Sequence, residues 1–283
     1  MRHYLDHAAT TPLRPEARDA WLEASVLVGN ASSTHGSGQD ARRVLEESRE
    51  RIAAVLGADP IEVVLTSGGT ESINLALQGL WHARGPGTTA VVVPDGEHHA
   101  TMDTAAALVA DGAEVRAVPL SPQARIDEGR FAVVLPGAAF ATALVANNET
   151  GTINDASALA AAAADAGVPL HLDAVAALGH VPLSFRELRG RADDGVGLVA
   201  LSIAGHKVGA PVGVGALVVA RSVRLTPLLR GGGQQRGLRA GTQDVPGAAA
   251  LATALELAER ERAAEGVRVG DLRDRLVEGI RAR

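Results

Sequence analysis

Residues 197–207 read GLVALSIAGHK, an almost continuous apolar run that closes on a small turn and a lysine. Such a run fits a strand buried on both faces, as in the parallel sheets of α/β proteins, and its end delivers Lys207. A lysine at its reference pKa of about 10.4 is protonated and cannot attack a carbonyl until it is desolvated or set beside other cations. The apolar strand and His206 supply such surroundings. Lys207 is therefore a candidate Schiff-base anchor for an aldehyde cofactor, although a GHK triplet also fits a solvated surface lysine.

Working outward, Val63, Val64 and Leu65 lead into TSGGTES and then the helical pattern Ile73, Leu75, Ala76, Leu77 and Leu80. A strand, a glycine turn and a helix start leave backbone N–H groups unpaired, so Gly68, Gly69 and Thr70 can cradle a phosphate or simply cap a helix. The turn is neither a Walker loop nor a dinucleotide fingerprint. Residues 168–172 form a short apolar strand ending at Asp173, where open α/β sheets bind ligands; an aspartate there can hold a ring nitrogen protonated or cap the next segment. Asn147, Asn148 and Glu149 stand at another strand end, able to bond a ring substituent or fold a turn. His98 follows VVVPDGE in a similar place, suited to lying on a flat cofactor or to a structural role.

The ordered set YLDHAATT, GNASSTHGSG, TSGGTES, GEHHA, ANNETG, HLDAV, GHK and GGGQQRGLRAGT, from Tyr4 to about Pro246, resembles the cysteine desulfurases of the class V aminotransferase group. The resemblance implies a pyridoxal phosphate (PLP) enzyme of fold type I, acting in sulfur metabolism and iron–sulfur cluster supply. It implies that Lys207 forms the imine, Asp173 pairs with the pyridine nitrogen, His98 stacks on the ring and Asn148 bonds the ring oxygen. Gly69, Thr70 and His206 match the phosphate site, and Thr242 matches a phosphate contact made across a homodimer. Catalysis is expected of Lys207 and His98, with L-cysteine as the favoured substrate and no metal. PLP is an electron sink, so the protein has to hold it, keep its ring nitrogen protonated and move a proton at Cα.

Three departures from that pattern matter. The chain contains no cysteine, and no other side chain is a comparably soft nucleophile for persulfide formation. Sulfur removal to give alanine and persulfide therefore calls for a second polypeptide that supplies the thiol. The family's C-terminal small domain, with its cysteine loop and carboxylate-binding arginine, is expected to be largely missing from a chain that stops at Arg283. Finally, Ala176 and Ala204 stand where the family has glutamine and serine; each loses a bond to the cofactor of roughly 1.5 to 3 kcal/mol, on the order of a hundredfold in affinity together. Two other readings stay open: PLP-dependent transamination or lyase chemistry that needs no thiol, and a non-catalytic scaffold with a degenerate site.

With 283 residues, 46% of them hydrophobic, the chain can bury a large α/β core. Aromatics at 2% and a formal charge of −6 argue against a nucleic-acid partner. No apolar run reaches membrane length and no secretory h-region opens the sequence, so a cytoplasmic protein is expected. His98 and His99 are adjacent and diverge, a poor metal pair.

Strand and helix patterns alternate, which predicts a mainly parallel sheet covered by helices on both faces. Asp40 is placed to cap a helix that Gly57 stops, residues 158–166 read as an alanine helix, and residues 131–146 fit either a helix remnant then a strand or two strands. Helix signals resume from Val245 to about Glu265. A last segment carries Leu272, Leu276, Val277 and Ile280 at helical spacing, a stripe that needs a covering surface. The expected division is a PLP-binding large domain over 1–246 and a connecting helix with a small-domain remnant over 247–283. The arm carrying Tyr4, Asp6, His7, Thr10 and Thr11 suits packing at the site or dimer, His35 lies on a bordering loop, and Arg236 and Arg239 face phosphate, partner or solvent.

Overall fold

The computed structural model describes residues 3–190, 192 and 195–282. Among them, seven strands form one sheet: β1 (Val63–Thr66), β2 (Ala90–Pro94), β3 (Glu114–Val118), β4 (Ala138–Leu144), β5 (Pro169–Asp173), β6 (Gly197–Ala204) and β7 (Gly215–Val219). Their spatial order is β1-β7-β6-β5-β4-β2-β3. Only β7 runs against its neighbours, so the other strands all point the same way. Six C-terminal strand ends consequently share one edge. β1, β2, β6 and β7 are buried at every position, the continuous apolar reading that a sheet covered on both faces requires.

The helices are α1 (Pro15–Ser25), α2 (Gly36–Leu56), α3 (Gly69–Ala83), α4 (His99–Ala110), α5 (Glu128–Val134), α6 (Ala156–Asp165), α7 (Phe185–Arg189) and α8 (Val245–Arg281). α2 begins earlier than the sequence suggests: His35 occupies the cap position and Asp40 lies within the helix, because Gly36, Ser37 and Gly38 accept helical geometry without a side-chain cap. Gly57 does end it, in the left-handed conformation at φ 61°. Residues 131–146 resolve as the end of α5 followed by β4. With so few aromatics, the core is built from Val, Leu, Ile and many alanines around Trp81, Phe131, Phe140 and Phe185.

α8 departs most from expectation. It does not pause near Glu265 but runs as one helix of 37 residues, capped at its start by Asp244 accepting from the Gly247 N–H. Its first half, as far as Ala258, is buried against α1 and α2. Beyond that point the helix leaves the core, and Leu272, Leu276 and Ile280 are exposed. Charged i,i+3 pairs such as Arg262–Glu259 and Arg268–Glu265 line this stretch. No helix of the described residues is long and apolar enough to cross a membrane.

Candidate active site

The shared edge of strand C-termini collects nearly every residue singled out above. Asp173 ends β5, and a 3-10 turn over Gly205–Lys207 follows the neighbouring β6. Asp173 is 1% exposed. Burial raises its pKa to about 6, against the pull of the Val175 N–H, which donates to Oδ1 at 2.8 Å, and of the Lys207 cation. The carboxylate form thus prevails at neutral pH. Only one of its two oxygens is engaged in this local turn among the described residues.

Lys207 has its pKa lowered, first by burial, while Asp6 and Asp173 work in the opposite direction. Its Nζ donates to the carbonyls of Ala8 and, at 2.9 Å, Ala9. The N-terminal arm therefore lies directly over it. Thr11 donates its hydroxyl to the Lys207 carbonyl at 3.0 Å, and Thr10 Oγ1 shares a hydrogen bond with His206 Nδ1 at 3.1 Å. His206 thus faces the arm. Its pKa is lowered by burial and then by Lys207.

α3 starts on the same edge. Gly68 adopts φ 146°, and a Cβ on Gly69 would meet Val175 Cγ2 at 2.7 Å, so both positions depend on glycine. The same imaginary Cβ lies 3.4 Å from the Ala204 methyl, which places Ala204 beside the start of α3. No side chain caps this helix, leaving its first-turn amides free to meet an anion. Behind the turn, a Cβ on Gly215 of β7 would strike Gly68 Cα and the Ile203 carbonyl, each at 2.7 Å.

His98 occupies the cap position of α4, with Nδ1 accepting the Ala100 N–H at 3.0 Å. In the neutral ring the proton then belongs on Nε2. Burial, then Lys207, lowers its pKa, so the ring is neutral at pH 7. Asn148 is half-buried and donates to Glu149 Oε1 at 2.7 Å, whereas Asn147 is buried and fully engaged with Gly96, Glu149 and Thr150.

Three positions fall elsewhere. Thr242 is exposed in the loop before α8, and its neighbour Gln243 lines a separate cleft of about 790 Å³ together with Arg42, Glu46, Arg49 and Arg236. The lining of that cleft contains none of the lysine, aspartate and histidine chemistry of the strand ends. Arg236 and Arg239 are partly buried and bonded within the chain: Arg236 donates to the Ile61, Val219 and Arg221 carbonyls, and Arg239 pairs with Glu71 at 2.9 Å. Sequence reasoning gives no role to Glu97, Thr142, His171 or Ser202. Yet His171 is fully buried and bridges Thr142 Oγ1 on β4 and Ser202 Oγ on β6, both at 2.8 Å, beneath Asp173. A histidine inside the apolar run VPLHLD is the available signal.

Residues 3–282 match the aminotransferase class-V model. The chain belongs to the class V aminotransferases. Within that family it is cysteine desulfurase-like. It is 44% identical to the IscS-like cysteine desulfurase of Mycobacterium tuberculosis (strain ATCC 25618 / H37Rv) over 99% of this chain and 71% of that protein. A cysteine desulfurase of Gluconacetobacter diazotrophicus is 41% identical over 98% of this chain and 68% of its own length. Among solved structures, a NifS-like protein superposes with TM-score 0.94 at 31% identity, covering all of this chain and 76% of that one. DndA from Streptomyces lividans gives 0.85 at 37% identity, covering 98% and 78%. A further neighbour, SspA, was solved in complex with cysteine, with TM-score 0.84 and 30% identity over 90% of this chain and 72% of that one. These class V aminotransferases share the mostly parallel sheet and its helices with this chain, and the family is PLP-dependent.

Proposed function

We propose that this chain is the PLP-binding part of a cysteine desulfurase-like enzyme, acting on L-cysteine, in the cytoplasm and as a homodimer, with residues 1–246 as its cofactor domain. One observation carries the reading: on adjacent parallel strands, a buried carboxylate at Asp173 and a partly desolvated lysine at Lys207 end side by side and feel each other's charge. The donor set fits PLP. Gly68, Gly69 and Thr70 offer an uncapped helix start to a phosphate, Asp173 offers a carboxylate to a ring N–H, and His98 offers a neutral ring beside Lys207. His206 and Asn148 stand within the same edge for phosphate and ring oxygen, and Thr242 is left for a site on a second copy.

When bound, PLP supplies the electron sink that lets a bond at Cα of an amino acid break. The chain's own residues do the rest. Lys207, its pKa lowered first by burial, would hold the aldehyde group and, as a free amine, would take and return the proton at Cα. Asp173 keeps its charge because Val175 and Lys207 both favour the ionised form.

Transfer of sulfur breaks the substrate's C–S bond and forms an S–S bond to an acceptor thiolate. No cysteine lies within these 283 residues, so that thiolate lies outside them. The same fact favours, as a second reading, thiol-free transamination or lyase chemistry. Purified protein mixed with PLP should develop a visible absorbance band that is lost in Lys207→Ala. It should release alanine from L-cysteine only when a cysteine-bearing partner is added, whereas keto-acid formed by the chain alone selects the second reading. A protein that stays colourless at saturating PLP overturns both.

A further inference from the structure

Glu97 sits in the connection between β2 and α4, yet it is only 8% exposed. Its Oε1 accepts the Leu144 N–H at 2.8 Å, while Oε2 is buried with no hydrogen-bond partner. Leu144 is the last residue of β4 and the register partner of Asp173 on β5. The residue after Glu97 is His98, the cap of α4. One side chain thus ties the ring expected to face the cofactor to the strand pair that carries the carboxylate expected at its ring nitrogen. A second bond, from Asn147 Nδ2 to the Gly96 carbonyl at 3.0 Å, pins the same connection.

We propose that Glu97 is a positioning residue: by clamping the Leu144 amide, it fixes His98 relative to Asp173. The inference rests on the cofactor reading above. Two buried carboxyls this close cannot both ionise cheaply, and their surroundings decide which one does. Asp173 has the Val175 N–H and the Lys207 cation of the turn after β6 to favour its charge. Glu97 has one amide, no cation, and Asp173 opposite it on β5; on the α4 side His98 is neutral. Burial, reinforced by Asp173 against the Leu144 N–H, accordingly pushes Glu97 up to about 8. A neutral acid adds no second charge under the ring, and a glutamine can take its place.

The full chain carrying Glu97→Gln or Glu97→Leu tests this. Without cofactor, amide hydrogen exchange at Leu144, compared with other β4 amides, should match wild type in E97Q and run at least tenfold faster in E97L. With PLP, E97Q should keep the dissociation constant within threefold and leave the pH midpoint of the visible band in place. E97L should weaken binding about tenfold and displace that midpoint. An E97L protein indistinguishable from wild type, or an E97Q protein as impaired as E97L, overturns the proposal, the latter because it would show that the charge is needed. If E97L does not fold, a carbon-13 carboxyl titration of Glu97 decides: a midpoint well above the usual carboxylate range supports it, and an ordinary one sinks it. Should wild type take up no PLP, the cofactor reading fails while the exchange measurement still settles the clamp.

Discussion

His171 lends itself to a quantitative test because it is fully buried, bonded to Thr142 and Ser202, and held neutral by desolvation. Its pKa falls from 6.5 to about 3 on folding. Well above pH 6.5 neither folded nor unfolded chain protonates this ring, and its stabilising contribution is complete. As pH falls from there, the unfolded chain binds a proton that the folded chain refuses, so stability is lost progressively down to the folded pKa. Between pH 7 and 5 the difference amounts to roughly 1.4 log units, or about 2 kcal/mol at 1.36 kcal/mol per unit. Glu97 and Asp173, whose pKa values are raised, work oppositely: their contribution is greatest at low pH and fades as pH climbs through about 8 and about 6. The total profile therefore mixes signs, and the informative quantity is the stability difference between wild type and His171→Asn. Urea unfolding of the cofactor-free proteins at pH 7 and pH 5 should show wild type's advantage shrinking by about 2 kcal/mol, equivalent to roughly 4 to 8 °C in melting temperature. A difference that stays constant across that interval would mean the imidazole accepts a proton in place, and would refute the reasoning.

Other outcomes are expected at the same edge of the sheet. Gly215→Ala should push its methyl into the Gly68 backbone and the Ile203 carbonyl, costing about 1 to 3 kcal/mol in thermal unfolding and weakening PLP capture in a fluorescence titration. Ala204→Ser, beside the start of α3, should tighten PLP binding about tenfold by restoring one hydrogen bond to a charged group, seen as a lower dissociation constant with the unfolding midpoint of apoprotein unchanged. Glu71→Ala should leave Arg239 without its carboxylate partner and loosen residues 231–241, read as faster hydrogen exchange there, because the pair is only 17% and 25% exposed.

Much of this is legible in the sequence for definite reasons. Buried parallel strands cannot hide their continuous apolar runs, so residues 197–204 and 63–66 declare themselves and carry Lys207 and the glycine turn with them. Gly57 and Gly167 end helices as expected, since both take left-handed angles. Partnerships between distant segments are hidden. Nothing local says that Arg236 will spend its donors on three backbone carbonyls, or that Glu97 will find the amide of a residue 47 positions away. The helix from Val245 reads as ending early because its hydrophobic signal fades where it leaves the core. Alanine, glutamate and arginine carry it onward by propensity and i,i+3 pairs.

The contact between Lys207 and the backbone of Ala8 and Ala9 bears on how the site is filled. An ammonium has three hydrogens to share between two carbonyls, but a nitrogen joined by a double bond to carbon keeps at most one. If Lys207 holds the coenzyme as proposed, its nitrogen would give up at least one of these two contacts with the leading strap of the polypeptide. Entry of the ligand and loosening of those opening residues would then be linked, so a shortened strap should admit the aldehyde faster and retain the bare amine less tightly.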